Sequence, residues 1–434
     1  MAYSSDIDAL NPDHRWDFDG DATDQIGSAD GTGTGMTYPA SPICRDVTNV
    51  AETNSTGDRV SIPTTTDINN SAQSRKAVGG WFSYSAAQGP PKRIYGEGNQ
   101  STNFQFVGFI GNNVMFEVVD TGFDVQIYGF YLEPNRPYHL FGMFSGNGYD
   151  NEVKFFIDGV EMTVANPSDR QPDAATLSAR GVAEFADPAG TVGIGGESVL
   201  LNSPVNGYYN QWATWDGANA DLSDTDIRVE LFEKGALPDV TISTNTEANM
   251  QTALDVYADT VRDNAPLCIA VEPVTGGGDF ELELDNITFD ELASIHVQYT
   301  GTSDTLTLIN TNGAACSITS APFGGSITLK TRTTITITVK DLTNFAVVEG
   351  ARVYIVADAG GDLAEGTVIL NTTTNVSGIA TTSFDYTSDQ PIVGYVRQGT
   401  SSPPLSPTCY VEGSIAGPIT LEGLSETILL IRDE

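Results

Sequence analysis

The chain is poor in positive charge: 20 Lys and Arg stand against 57 Asp and Glu, for a formal net charge of -37 over 434 residues. That deficit argues against nucleic acid as a partner, because phosphate contacts need a basic face. It argues equally against an anionic membrane surface, and the acids are spread along the chain, as on a solvated exterior. Cysteine is scarce as well. Cys44, Cys268, Cys316 and Cys409 lie far apart with no paired spacing, which gives neither a zinc motif nor a disulfide framework. Four reduced thiols are expected, with a Cys268–Cys316 bridge left open. The histidines, His14, His139 and His296, are isolated and form no metal pair one helical turn apart. No run of ~18 apolar residues occurs, so no membrane insertion is expected. The opening MAYSSDIDALNPDH has neither the basic nor the apolar segment of a secretory leader, and none is expected.

What the sequence does have is glycine, threonine and short apolar runs. Hydrophobic residues make up 40% of it, enough for real cores, and the length suggests about three domains. The fold class expected is mostly β. Residues 1–238 alternate strands and turns: RVSIP, AVGGWFSY, FQFVGFIG, VMFEVV, YHLFGMFSG and VKFFIDGVEM. Asp158-Gly159 between apolar flanks predicts a two-residue hairpin with positive φ at both central positions. The stretch closes with LSDTDIRVELFEKGALPDV, a short helix in which Ser223 and Asp226 form a capping box. Ile227, Leu231 and Phe232 give it an apolar face, and Gly235 and Pro238 stop it.

Residues 239–330 change character. Met250, Leu254, Tyr257 and Val261 recur on one face of a helix. Short Thr-rich strands follow: LCIAV, FELELDNITF, SIHVQYTG, DTLTLINTN, CSITS and SITLKT. A helix followed by such rungs is similar to the start of a parallel β-helix, and a small α/β sandwich is the alternative. Residues 331–434 change again, with TTITITVKDLTNFAVVEGARVYIVADAG, NVSGIATTSF and PIVGYVR. This third segment resembles immunoglobulin-like or transthyretin-like modules of the carboxypeptidase regulatory type.

The first segment carries a resemblance of its own. WDFDGDATDQIGSADGTGTG, DRVSIP, KAVGGWFSY, RPYHLFGMFSG, KFFIDGVEM, GTVGIGG and GYYNQWATWDGANADLSDTDIRVELFEKG appear in that order. The ordered set resembles a laminin-G-like domain of the concanavalin-A lectin/glucanase superfamily, a jelly-roll β-sandwich. Some domains of this kind hold calcium at the sandwich rim, which makes Asp21 and Asp24 candidate calcium ligands. No other cofactor is implied. The acids themselves fit a calcium loop of the EF-hand type badly: counting from Asp17, the sixth place holds Ala22 and the twelfth Ser28, where Gly and Glu are needed. Strand alternation instead turns Trp16 and Phe18 inward and Asp17 and Asp19 to water.

Catalytic constellations are not found. Glycoside hydrolases need two carboxylates flanking a sugar bond. The nearest text, Glu281, Glu283 and Asp285 in ELELD, has the wrong order, lies outside the lectin-like segment, and reads as the solvated side of an amphipathic strand. There is no Gly-x-Ser-x-Gly elbow and no phosphate loop. The protein is therefore expected not to be an enzyme. Trp212, Trp215, Tyr208 and Tyr209 are candidate glycan-stacking residues, against the alternative of core packing; strand alternation points Trp212 and Trp215 opposite ways, so at most one of the two is expected in the core and the other exposed.

Lectin-like and Ig-like modules usually face outward, yet neither a leader nor a disulfide framework is expected here. A virion protein of a tailed bacteriophage reconciles the two, being folded in the host cytoplasm and released by lysis. The expectation is thus a non-enzymatic structural protein of the virion, a tail appendage or fibre or a head decoration. Its expected partners are other virion proteins, further copies of itself in a homo-oligomer (a trimer rather than a dimer), and a host-surface glycan. The alternative is a free carbohydrate-binding or glycan-degrading bacterial protein.

Overall fold

The computed structural model describes residues 3–53, 58–62, 76–84, 92–99, 103–110, 113–120, 123–144, 153–162, 176–178, 191–194, 207–238, 240–244, 246–256, 268–273, 279–289, 293–311, 316–398 and 409–433. The protein is mostly β, with several sheets, and divides into two compact units, Met1–Pro238 and Asp239–Glu434.

The first unit is a jelly-roll-like sandwich of two antiparallel sheets. Strands His14–Trp16 (β1), Lys76–Tyr84 (β2), Tyr138–Phe144 (β3) and Gly207–Asp216 (β4) form one sheet in the order β1-β4-β2-β3. It continues into the hairpin Val153–Ile157 and Val160–Glu161. There Asp158 and Gly159 carry φ of 51° and 72°, the two positive values that the turn demands. The facing sheet runs from Thr176–Ser178 through Phe123–Tyr131, Asn113–Asp120, Asn103–Ile110, Lys92–Asn99, Thr191–Ile194 and Arg59–Ile62 to Thr32–Thr34. Between them lie Trp16, Phe18, Val78, Phe82, Tyr95, Phe116, Leu140, Tyr209 and Trp212, all buried.

The first sheet is covered on its other face too. Helix α1 (Tyr3–Ala9) and a helix at Asp226–Glu233 pack there; the second is wound with an i→i+5 bond from Lys234 N to Val229 O. Trp81 donates to the Tyr3 hydroxyl at 3.0 Å, and that hydroxyl donates in turn to the Leu231 carbonyl. Burial on both faces explains why every residue of KAVGGWFSY is buried, where a half-exposed strand would alternate. Trp81 therefore lies under the helices, and Trp16 and Phe18 lie between the sheets. Ser223 and Asp226 do form the reciprocal capping box, with Asp226 N donating to Ser223 Oγ at 3.1 Å and Ser223 N to Asp226 Oδ2 at 3.0 Å. Helix α1 was not foreseen, because that stretch lacks an apolar period of its own.

The second unit begins with strands Val240–Thr244 (β5), Ile269–Pro273 (β6), Phe280–Leu284 (β7), Val297–Tyr299 (β8), Thr305–Asn310 (β9), Thr319–Ser320 (β10) and Ser326–Asp341 (β11). They fall into two parallel ladders, β5-β6-β8-β10 and β7-β9-β11, visited alternately from β6 onward. That is a short parallel β-helix, which settles the choice left by the sequence. Equivalent residues stack from coil to coil: Val240, Ile269 and Val297 on one sheet, Leu282, Leu308 and Leu329 on the other. Cys44, Cys268 and Cys316 are thiols, not disulfide-bonded, so the bridge left open by the sequence does not form.

Helix α2 (Glu247–Asp255) closes the end of this solenoid, burying Met250 and Leu254. Tyr257 and Val261 of the expected helix lie outside the described residues. Glu247 Oε2 accepts from Glu281 N at 2.9 Å, Gln251 Oε1 accepts from Glu283 N at 2.8 Å, and Gln251 Nε2 donates to Glu283 O at 2.9 Å. These side chains satisfy the backbone of β7 at the sheet edge, where an unpaired strand would otherwise recruit another chain.

The longer strands that follow are Ala351–Ala357 (β12), Val368–Thr373 (β13), Ile379–Tyr386 (β14), Gln390–Gln398 (β15), Gly413–Ile419 (β16) and Leu424–Leu430 (β17). The sheet β13-β12-β15-β16 faces a sheet made by β14, β11 and β17 across a core that includes Ile335, Ile337, Val339, Val353, Ile355, Ile392 and Val396. Strand β11 belongs to both parts. Ser326–Thr331 pairs in parallel with β9, Thr331–Thr338 antiparallel with β14, and Ile335–Asp341 in parallel with β17. The segment boundary expected at 330/331 falls inside this unbroken strand.

Candidate functional site

Three groups of residues were singled out by the sequence. The first is the acidic turn after β1. Asp24 is buried, and its carboxylate gathers the turn. Oδ1 accepts from the amides of Gly27 at 3.0 Å, Ile26 at 3.1 Å and Arg15 at 3.2 Å. Oδ2 accepts from Ala29 N at 3.0 Å and lies 2.6 Å from His14 Nδ1. Burial pushes this carboxyl up, but the bonds from His14 and from the Ala29, Gly27 and Ile26 amides outweigh it and hold the group well below the usual carboxylate range. Gly27 is required here, since a Cβ would come within 2.4 Å of His14 Nδ1.

The other acids diverge from Asp24. Asp21 is exposed and accepts from Thr23 N at 2.9 Å. Asp19 Oδ1 accepts from the Asn49 amide at 2.8 Å, and Asp17 pairs with Arg15. Asp21 and Asp24 therefore do not converge on one point. A carboxylate already holding four amides and an imidazole has no free lone pair for a cation. The donor set does not fit calcium, and among the described residues no group of three or more His, Cys, Asp or Glu side chains is placed to hold a metal.

The second group is on β4. Register along β2 shifts between Asn210 and Ala213, and Gln211 carries φ of 47°, a bulge that re-aims the following side chains. Trp212 is fully buried, stacked on Tyr95 at 5.9 Å, and lies over Gly80, where a Cβ would meet its ring at 2.5 Å. Trp215 points the opposite way but is buried as well, edge-on to Phe141 at 5.6 Å and donating to Leu10 O at 3.1 Å. The sequence expectation was that at most one of the two would be core. Both are, because each face of this sheet is covered. Tyr209 is buried, and burial raises its hydroxyl far above the ordinary value. Tyr208 alone keeps partial exposure, with burial and Glu52 raising its hydroxyl. The four aromatics thus offer no shared stacking face.

The third group is the acidic strand β7. Glu281 and Glu283 lie on its exposed side. Lys330 Nζ stands 3.8 Å from Glu281, and Arg332 Nη1 stands 2.6 Å from Glu283. Arg332 also reaches Asp385 on β14 at 2.8 Å. These acids are tied to cations on β11, where the solenoid passes into the sandwich.

Sequence reasoning missed two features. One is His139, buried on β3, with burial lowering it to about 4 against an opposing pull from Asp158. The other is the outward side of β12 and β15. Arg-x-Tyr at 352–354 and Tyr-x-Arg at 395–397 are mirrored motifs that an antiparallel register superimposes.

No protein-family model matches the chain, and neither does any curated protein. Among solved structures the chain is similar to domain 4 of AbnA, a GH43 extracellular arabinanase from Geobacillus stearothermophilus, in complex with arabinotriose. That match has 15% identity and a TM-score of 0.36, over 51% of this chain and 98% of that one. It is also similar to the binding domain of botulinum neurotoxin serotype D, with 14% identity and a TM-score of 0.36, over 50% of each chain. Trypanosoma rangeli sialidase in complex with sialic acid matches with 13% identity and a TM-score of 0.34, over 51% of this chain and 32% of that one. Likeness at this level transfers neither a ligand nor an activity.

Proposed function

We propose that the chain is a non-enzymatic structural and adhesive protein of a tailed-bacteriophage virion, in an appendage of the tail or on the head. The observation that carries this reading is β11. One strand of 16 residues runs from the last coil of the solenoid into the sandwich, a span of about 50 Å at the usual rise. A flexible linker between modules lets them move independently. A shared strand gives no such joint, and Arg332 clamps the passage by holding Glu283 of the solenoid and Asp385 of the sandwich together. Stiff coupling of this kind suits a part that carries load and presents a sandwich at a fixed distance. The helix cap on β7 keeps the solenoid end from pairing with other chains, so assembly is directed to other surfaces. Partners on this reading are other virion proteins and further copies of the chain, a trimer above all, with a host-surface glycan at the exposed end.

Mass spectrometry of purified particles, with immunogold labelling on negatively stained grids, tests it. The chain should be recovered from particles in stoichiometric amount. A chain found only in the soluble fraction, sedimenting as a monomer, would refute the virion role and favour a free glycan-binding protein.

A further inference from the structure

The sheet β13-β12-β15-β16 turns one face to the sandwich core and the other outward. Strand alternation sends Val353, Ile355 and Val396 inward and leaves Arg352, Tyr354, Tyr395 and Arg397 on the outer face. The register of β12 on β15 sets Arg352 opposite Arg397 and Tyr354 opposite Tyr395. The two rings stack with centroids 5.3 Å apart and planes 29° apart. Each guanidinium lies over its neighbour's ring, Arg352 at 5.9 Å from Tyr354 and Arg397 at 5.2 Å from Tyr395.

Folding alone does not account for this arrangement. Like charges directly opposite on neighbouring strands repel. The four strands contain no Asp or Glu, in a chain with 57 acids. Three other cations of this unit find carboxylates: Lys330 on Glu281, Arg332 on Glu283 and Asp385, Arg432 on Asp341. Arg352 instead donates to the Asn371 amide oxygen at 3.1 Å, and neither it nor Arg397 has an ion-pair partner among the described residues.

We propose that this outer face is a binding platform for an acidic glycan. Tyr354 and Tyr395 take the apolar face of a sugar ring, and Arg352 and Arg397 together take its carboxylate or sulfate. Two planar guanidinium forks side by side suit one shared anion, since each offers parallel N–H donors. Their stacking on the rings holds them in place beforehand, which lowers the ordering cost of binding. Asn371 and Ser414 flank the rings in register and supply small polar groups for hydroxyls. An acidic peptide would use the arginines alone, but two stacked tyrosines beside them, between polar side chains, add the apolar contact that favours a pyranose. The proposal rests on the adhesive part of the reading above, and not on the virion.

Isothermal titration of the full chain tests it, with polygalacturonate as a carboxylated polymer, dextran sulfate as a sulfated one and neutral dextran as control. At 0.15 M salt the screening length is about 8 Å, so the chain's own acids do not dominate the contact. Binding to one or both acidic polymers and not to dextran is expected, the responsive polymer identifying the anionic group. R352Q/R397Q should weaken it about tenfold or more, as loss of charge-assisted bonds implies. Y354A/Y395A should weaken it too. Both variants lie on a solvated face, and their circular dichroism and melting should match the wild type. Binding to neither polymer, or equal binding by R352Q/R397Q, would overturn the proposal. So would self-association of the wild type that R352Q/R397Q abolishes, which would give the face to a second copy. A chain absent from particles that still binds an acidic polymer would leave this proposal standing while the virion reading falls.

Discussion

Lowering the pH from 7 to 5 is expected to destabilise the first unit by about 2 kcal/mol through one residue, His139. Its ring is buried against Trp81, 5.4 Å away, and Nδ1 has no hydrogen-bond partner among the described residues. Burial lowers its pKa to about 4, with Asp158 pulling the other way, against an ordinary value of about 6.5. The unfolded chain therefore takes up the proton first as the pH falls. The stability from keeping this imidazole neutral is complete above pH 6.5 and is lost between 6.5 and 4. Linkage over that gap gives about 2 kcal/mol between pH 7 and 5, and about 3 kcal/mol by pH 4. All four tryptophans, at 16, 81, 212 and 215, lie in the first unit. Tryptophan fluorescence during urea unfolding of the full chain thus reports that unit alone. With urea slopes of about 1–3 kcal/mol/M, the wild-type midpoint should fall by roughly 0.6–2 M more than that of His139→Gln over the same pH step. Effects of pH on the rest of the unit, including relief of acidic self-repulsion, are common to both proteins. Midpoints that fall in parallel would refute the assignment.

Trp16→Ala should cost the first unit ~3–5 kcal/mol, read from its melting, and an unchanged melt would show that β1 does not bury this ring against the facing sheet. Gly80→Ala should be destabilising by about 1–3 kcal/mol, because the new methyl meets the Trp212 ring, and should shift tryptophan emission; a silent substitution would contradict that packing. Calcium and chelator should give the same melting temperature, since the Asp24 oxygens are already occupied, and a marked rise with calcium would contradict the turn described above. Removing the β7 cap with Glu247→Ala and Gln251→Ala should produce species larger than the wild type in sedimentation, and an unchanged profile would show that the edge needs no cover.

How much of this was legible depends on whether the signal was local. The Asp158-Gly159 turn and the Ser223–Asp226 box are fixed by residues within a few positions, and both stand where the motifs put them. The rungs of the solenoid were visible as short Thr-rich strands, since alternating apolar residues such as Phe280, Leu282 and Leu284 are set by one strand's own faces. What failed was non-local. Trp212 and Trp215 point to opposite faces as strand alternation requires, yet Trp212 is buried by the facing sheet and Trp215 by elements on the other face, with Leu10 just after α1 among its neighbours, and neither cover is written in β4 itself. The role of Asp24 depends on His14 and on four backbone amides that only the folded turn assembles. The long strand β11 hid its double membership because each half pairs with partners from a different segment, and nothing in SITLKTRTTITITVKD marks the change.

The scarce cations give the last step. In a chain so rich in acid, a lysine or arginine meets a carboxylate almost wherever it is put, and most of those described do so at joints. Arg15 holds Asp8 and Asp17 beside β1, Arg136 holds Asp158 at the hairpin turn, and Lys234 ties Asp6 of α1 to Glu230 of the neighbouring helix. Arg332 links solenoid to sandwich, and Arg432 holds Asp341 at the end of β11. The more exposed of these pairs, such as Arg332 with Glu283, add little stability each, and in the buried ones, such as Arg136 with Asp158, desolvation offsets much of the attraction, so their value lies in fixing register and orientation where elements meet. Measured against that pattern, Arg352 and Arg397 stand apart. They join no two elements that the β12–β15 ladder does not already join, they repel each other across it, and the strands around them hold no acid. A surface that sets aside two of its 20 cations in this way has an anion to receive from outside the chain.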